Sequence, residues 1–277
     1  MLLNLFYLLS ALFATGICAL TIGFAGIGTV LVWMGSFAGC LVLCILGCSV
    51  FTWICAERTD PNGQWEHYDP FVDTLVKLYA GPLLRLLGCR IVTQGTELLP
   101  KDGRFLLVSN HLCDLDPGFF LKTFRNRQLA FIAKKEAKDV PVIGRLMARL
   151  LCQFIDREND REALKTILKC IAILKEDRAS VAVFPEGRTA RDDKLLHPFR
   201  PGVFKIAQKA NVPIVVCTLK GAESIFTNLK KLRRSTVHLH LVGVIPAEDL
   251  KGVTTVDIAA RVHEMMANDL GAENVAD

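Results

Sequence analysis

The first 56 residues, Met1 to Ala56, contain no Asp, Glu, Lys, Arg or His, so all 33 basic and 28 acidic side chains lie between Glu57 and Asp277. Without cations there is no positively charged n-region for a cleaved signal peptide, and the apolar run far outlasts an h-region. The ten cysteines include no C-x-x-C pair and divide five and five between the uncharged segment and the remainder. That scatter excludes a disulfide scaffold and fits a reduced, cytosol-facing domain. A P-loop, a dinucleotide fingerprint and an H-E-x-x-H helix are all missing, so no bound cofactor and no metal are expected. Basic residues are not interleaved with aromatic ones in any nucleic-acid reading motif, so no nucleic-acid partner is expected. There is no internal repeat and no long linker. With 22% charged and 8% aromatic residues, the chain is not disordered.

What is present is a hydrophobic excess with one address. Of the first 56 residues, 41 are hydrophobic, while the share from residue 57 onward is about 45%, an ordinary globular value. A membrane-spanning helix needs roughly 20 apolar residues, so residues 1–56 hold enough for two. The weakest point of the run, Gly23 to Gly28, places spans in Leu2 to Ile22 and Thr29 to Cys55. Gly35, Gly39, Cys40, Cys44 and Cys48 are small residues at helical spacing and would let the two helices approach closely. A helical hairpin is the reading adopted; a two-helix anchor lying in one leaflet has the same composition. Asp60-Pro61-Asn62-Gly63 reads as a turn between this anchor and a second domain, residues 57–277.

In that second domain, β-rich runs alternate with helical periodicity. Arg104 to Ser109, Gln128 to Ala133, Gln153 to Asp156, Ser180 to Phe184, Ile214 to Leu219 and Val237 to Val244 read as strands. Glu162 to Lys175, Pro201 to Ala210 and Val256 to Asp269 suit helices, as does Tyr68 to Leu87, with Phe71, Leu75, Leu78 and Leu83 to Leu87 on its apolar side. The alternation predicts one α/β domain with a mixed, largely parallel sheet flanked by helices.

Two segments carry chemistry. Ser109-Asn110-His111-Leu112-Cys113-Asp114-Leu115-Asp116-Pro117 follows a predicted strand directly, the place where α/β sheets put their sites. His111 is suited to accept a proton near neutral pH, and a nearby carboxylate can fix its tautomer; taken alone, such a pair is more often structural. The second segment, Val181 to Thr189, runs from a strand into a Pro-Glu-Gly turn. There Arg188 offers a forked guanidinium for an anion, and Glu186 a carboxylate for a hydroxyl, a main-chain amide or Arg188 itself.

Taken together, these segments resemble the PlsC-type glycerolipid acyltransferases. Asn110, His111 and Asp116 match the family's N-H-x-x-x-x-D motif, and Phe184, Pro185, Glu186 and Gly187 its F-P-E-G motif. Phe154 to Arg157 match F-I-D-R, Val212 to Ile214 match V-P-I, and Ala133 to Glu136 match A-K-K-E. The resemblance covers roughly residues 90–219 in the family's order. One departure is the Arg of the fourth block, which many relatives place as F-P-E-G-T-R, whereas this chain reads Phe184-Pro185-Glu186-Gly187-Arg188-Thr189.

The resemblance implies transfer of an acyl group from a thioester, acyl-CoA or acyl carrier protein, to the sn-2 hydroxyl of 1-acyl-sn-glycerol 3-phosphate, giving phosphatidate. His111 would be the base and Asp116 would orient it; Asn110, Lys134, Arg157, Glu186, Gly187 and Arg188 would serve substrate binding. Cys113 would not be a nucleophile, and Asp114 is the carboxylate that the family register passes over. Eight basic residues between Lys122 and Arg149 against two acidic ones suit anionic headgroups. The cluster Lys230, Lys231, Arg233 and Arg234 likewise reads as membrane-surface contact. The expected protein is an integral membrane enzyme with membrane lipids as partners and its catalytic domain facing the cytoplasm. The rival acceptors are glycerol 3-phosphate, another lysophospholipid or a lyso-aminolipid. From other classes come a metal-assisted hydrolase using His111, Asp114 and Asp116, and an inactive lipid-binding protein.

Overall fold

The computed structural model describes residues 2–21, 26–57, 67–187 and 193–276. The chain divides into two compact units, Met1–Asp60 and Pro61–Asp277.

The first unit is two helices, α1 (Leu2–Thr21) and α2 (Ile27–Glu57). Asn4–Thr21 and Ile27–Glu57 are both long and apolar enough to cross a membrane, which supports membrane association. At 1.5 Å per residue α2 extends for roughly 46 Å, more than the hydrocarbon core requires. The helices run antiparallel: Trp33 Nε1 donates to Thr15 Oγ1 at 3.1 Å, and the Cys18 thiol to the Thr29 carbonyl at 3.6 Å. The Phe37 ring stacks on Trp33 and on Tyr7. The expected glycine seam does not form, because nothing lies within 4 Å of where a Cβ would stand on Gly35 or Gly39. Trp33 and Phe37 take the contact face, and a residue two positions further on is turned about 200° around the helix from it. Phe6, Ser10, Ala14 and Cys18, four residues apart, are the buried stripe of α1.

In the second unit, α3 (Pro70–Leu86) and β1 (Cys89–Gln94) precede β2 (Leu106–Ser109), α4 (Asp116–Thr123), β3 (Leu129–Lys134), α5 (Ile143–Arg149) and β4 (Gln153–Ile155). Next come α6 (Asp160–Lys175), β5 (Ser180–Val183), α7 (Lys205–Ala210), β6 (Ile214–Lys220), α8 (Ile225–Lys230), β7 (Ser235–Ile245) and α9 (Thr255–Leu270). The seven strands form one sheet in the order β1-β7-β6-β2-β5-β3-β4. Every pairing is parallel except β6 with β7. This is the mixed, mostly parallel sheet flanked by helices that the alternation predicts.

Local chemistry explains the elements. The central strands β2 and β5 are buried throughout, as strands covered on both faces must be. The edge-side β7 instead buries Val237, Leu239 and Leu241 and exposes Thr236 and His238. Asp69 caps α3 by accepting from the Phe71 and Val72 amides at 2.9 and 3.0 Å, with Pro70 in the first turn. Asn159 caps α6 in the same way. The face of α3 differs from the expected one: Val72, Leu75, Ala80 and Leu84 are buried, while Phe71, Leu83 and Leu86 stay exposed. Lys77 is buried there too, its ammonium donating to Asp73 and to the Arg125 and Arg127 carbonyls at 2.7 to 2.9 Å. Asp60 to Gly63 lie outside the described residues.

Because β2 to β6 all run in the same direction, their carboxyl ends share one edge of the sheet. His111 follows β2, Lys134 ends β3, Arg157 follows β4 and the Phe184 to Gly187 turn follows β5.

Candidate active site

His111 and Asp116 meet at the carboxyl end of β2. His111 Nδ1 lies 2.8 Å from Asp116 Oδ2, and the same oxygen accepts the Leu112 and Cys113 amides at 2.6 and 3.0 Å. Asp116 is also the first residue of α4, so the helix's positive end faces its carboxylate. The Asp116 side chain is 0% exposed and that of His111 15%. The carboxylate is thus sealed while the imidazole keeps access. With Nδ1 committed to a carboxylate, the ring's accepting lone pair sits on Nε2. Phe184 stacks on the ring, centroids 4.3 Å apart and planes 15° from parallel, fixing its tilt.

Cys113 donates its thiol to Asp116 Oδ1 at 3.3 Å. Burial first, and then the Asp116 and Asp114 carboxylates, push this thiol far above its usual range, so it stays protonated. A protonated thiol is no nucleophile. Asp114 is exposed and does not enter the His111–Asp116 pair.

Asn110 is completely buried, and its amide knits the scaffold. Nδ2 donates to the Leu195 and Leu219 carbonyls at 2.9 Å each, and Oδ1 accepts the Leu219 amide at 2.8 Å. The amide therefore latches the end of β2 to the end of β6 and to the segment around Leu195. Its polar atoms are engaged within the scaffold, with the Ser109 hydroxyl also donating to Oδ1 at 3.4 Å.

The Pro185-Glu186-Gly187 turn is held by two arginines, one through its guanidinium and one through its main chain. Arg157 Nη1 donates to the Gly187 carbonyl, and the Arg200 amide to the Pro185 carbonyl at 2.9 Å. Gly187 has φ +70, and a Cβ there would stand 3.0 Å from Arg200 Nε. The positive φ favours glycine here, whereas the Arg200 side chain could move aside for a Cβ. Burial, and then the neighbouring Arg200, pull the Arg157 guanidinium below its ordinary value, with Glu136 opposing; it remains a cation at any working pH. Glu186 is buried against His197, whose Nδ1 lies 3.5 Å from Oε2. Lys134 stands exposed at the end of β3. Arg188 lies outside the described residues. Sequence reasoning missed His197 and Arg200, which belong to no motif and reach the turn only through the fold. Among the described residues no three His, Cys, Asp or Glu side chains converge as a metal site.

Fold and site together define a membrane-associated α/β protein with a histidine–carboxylate pair and a cationic turn on one edge of a largely parallel sheet. Residues 90–220 match the family model for acyltransferases. A probable 1-acyl-sn-glycerol-3-phosphate acyltransferase of Mycoplasma genitalium is 33% identical over 159 residues, 56% of this chain and 58% of that protein. Its Mycoplasma pneumoniae counterpart is 32% identical over 178 residues, covering 62% and 65%. The 1-acyl-sn-glycerol-3-phosphate acyltransferase of Saccharomyces cerevisiae is 26% identical over 232 residues, covering 83% and 75%. The chain thus spans about three fifths of the length of the two Mycoplasma relatives. The crystal structure of the acyltransferase PlsC from Thermotoga maritima superposes with a TM-score of 0.61 at 20% identity, over 97% of this chain and 96% of that one. It shares the fold.

Proposed function

We propose that this protein transfers an acyl group from a thioester, acyl-CoA or acyl carrier protein, to the sn-2 hydroxyl of 1-acyl-sn-glycerol 3-phosphate, forming phosphatidate. The observation that carries the reading is the sealed Asp116 carboxylate on His111 Nδ1, with Phe184 of the F-P-E-G turn against the ring. The match of residues 90–220 to the acyltransferase family model supports it.

In this reading His111 Nε2 accepts the acceptor's hydroxyl proton as the oxygen attacks the thioester carbonyl, and Asp116 stabilises the imidazolium. When the tetrahedral intermediate collapses, the carbon–sulfur bond breaks and the leaving thiolate takes that proton back from His111. An ester and a free thiol result, with no acyl-enzyme and no resident cofactor or metal. Lys134, Arg157 and Arg188 provide cations for the acceptor phosphate, with Arg200 as a fourth, and Glu186 and Gly187 shape the turn that presents them. Residues 1–56 act as the membrane anchor and residues 57–277 as the acyltransferase domain, facing the cytoplasm. Five cysteines of that domain, all buried free thiols, suit a reducing compartment. Both the acyl chain and the acceptor are then delivered from the bilayer.

The test supplies the full-length protein in detergent with a labelled acyl thioester and a panel of acceptors: lysophosphatidic acid, glycerol 3-phosphate, other lysophospholipids and a lyso-aminolipid. Phosphatidate from the first is the expected product, and His111→Ala abolishes it. Acylation of a different acceptor reassigns the substrate. No acylation at all, or a fully active His111→Ala, overturns the chemistry.

A further inference from the structure

Leu232 is 95% exposed, the most exposed large apolar side chain among the described residues of the second unit. Its backbone is left-handed, with φ +53. It follows α8 in a Schellman arrangement, the Arg233 amide reaching back to the Asn228 carbonyl at 2.8 Å and the Leu232 amide to the Leu229 carbonyl at 3.0 Å. That position favours glycine because it needs no Cβ. Here a leucine accepts the strain and gains no packing within its own chain. It is flanked by Lys230, Lys231, Arg233 and Arg234, all exposed, and no Asp or Glu occurs between Ser224 and Ala247.

This turn is not isolated. Gly88, directly after α3, lies 3.7 Å from the Arg233 carbonyl and the Arg234 Cα, measured from where its Cβ would stand, and its carbonyl accepts the Ser235 amide at 3.1 Å. The exposed Leu83 and Leu86 at the end of α3 therefore border the basic turn. No carboxylate occurs between Thr74 and Thr96. The strand directions fix where the patch faces. Lys220, at the carboxyl end of β6, pairs with His238 near the start of antiparallel β7, and Ser109 at the end of β2 pairs with Cys217 of β6. The turn preceding β7 thus lies on the same sheet edge as His111.

We propose that the α8–β7 turn and the carboxyl-terminal end of α3 form one docking surface for an anionic lipid bilayer, with Leu232 inserting below a ring of headgroup-binding cations. Charge complementarity selects the occupant: apolar tips with surrounding cations and no carboxylate match an anionic interface. Chain continuity supplies it, because only residues 58–69 separate α2 from α3, a tether of roughly 40 Å at full extension. Docking would hold the His111 edge of the sheet to the surface that holds apolar substrates.

The proposal is readable without turnover, so it stands or falls apart from the acyl-transfer reading. The full chain carries a ketone-bearing phenylalanine in place of Leu232, spin-labelled through the ketone so that the native thiols are untouched. It is reconstituted in nanodiscs of phosphatidylcholine alone or mixed equally with phosphatidylglycerol. In the mixed bilayer the label is expected to be relaxed by oxygen and shielded from a water-soluble nickel chelate. Replacing Lys230, Lys231, Arg233 and Arg234 together by Gln should undo the shielding, each cation shifting the docking equilibrium constant by roughly five-fold. A label at the exposed Val256 of α9 should stay open to the chelate. Chelate access at 232 in both bilayers overturns the proposal, as does equal shielding at Val256. Shielding that is already present in detergent, with spin–spin broadening, would mean that a second copy of the chain covers the patch, and would also overturn it.

Discussion

Asp116→Asn is the sharpest perturbation of the proposed chemistry. Oδ2 of Asp116 takes the His111 ring N–H and two main-chain amides. An asparagine keeps those three bonds only if its amide oxygen takes the Oδ2 place. Its NH2 then faces the Cys113 sulfur, which can accept in place of donating. Position and tautomer of His111 are retained and the negative charge is lost. A buried hydrogen bond to a charged group is worth about 1.5–3 kcal/mol, and positioned general-base catalysis contributes about 10²–10⁴-fold. The expected result is a fall in kcat of about 10²–10⁴-fold with little change in acceptor KM. Asp116→Ala should cost similar activity and also strand the Leu112 and Cys113 amides, at about 1–3 kcal/mol each. Release of free thiol from the acyl donor measures turnover, and thermal melting in detergent separates the two variants. Asp116→Asn with kcat within three-fold of wild type would refute the role given to the carboxylate.

Cys113→Ser should keep activity within about ten-fold, since a hydroxyl can also donate to Asp116; loss to the level of His111→Ala would make the thiol a reactant. Arg157→Ala should raise acceptor KM by about ten-fold or more, the worth of one charged hydrogen bond, with a smaller effect on kcat; an unchanged KM removes Arg157 from the phosphate site. Burial pushes the Cys152 thiol up to about 12. A group whose folded value is raised contributes fully below its unfolded pKa of about 8.5, and that contribution is lost as pH climbs towards the folded value. Denaturant unfolding should therefore show stability falling above about pH 9, and Cys152→Ala should flatten the fall by up to about 1.4 kcal/mol per pH unit. An identical alkaline slope in the variant counts against it.

Legibility from sequence follows the strength of local signals. The strands that carry motifs, β2 to β6, are short apolar runs bounded by turns, and their order is readable. β1 is missed because Cys89-Arg-Ile-Val-Thr-Gln is mixed in character and adjoins the leucine-rich end of α3. α4, α5 and α8 have only eight, seven and six residues, too few turns to display a period. The pairing of His111 with Asp116 is local, and its spacing is visible. The contributions of His197 and Arg200 are not, because a main-chain bond from Arg200 to Pro185 exists only once the sheet has formed. Asn110 differs for a related reason: it stands beside His111 in sequence, and its side chain points into the scaffold.

That latch has a consequence for what position 110 tolerates. Replacing Asn110 by aspartate changes one NH2 into an oxygen, an alteration of almost no volume. It would replace the donor held by the Leu195 and Leu219 carbonyls with an acceptor, setting a negative charge against two carbonyl oxygens where water cannot enter. Three segments that one residue ties together would part at once. A change of one heavy atom, several residues from Asp116 and leaving His111 intact, would thus undo the scaffold on which the His111–Asp116 pair is built.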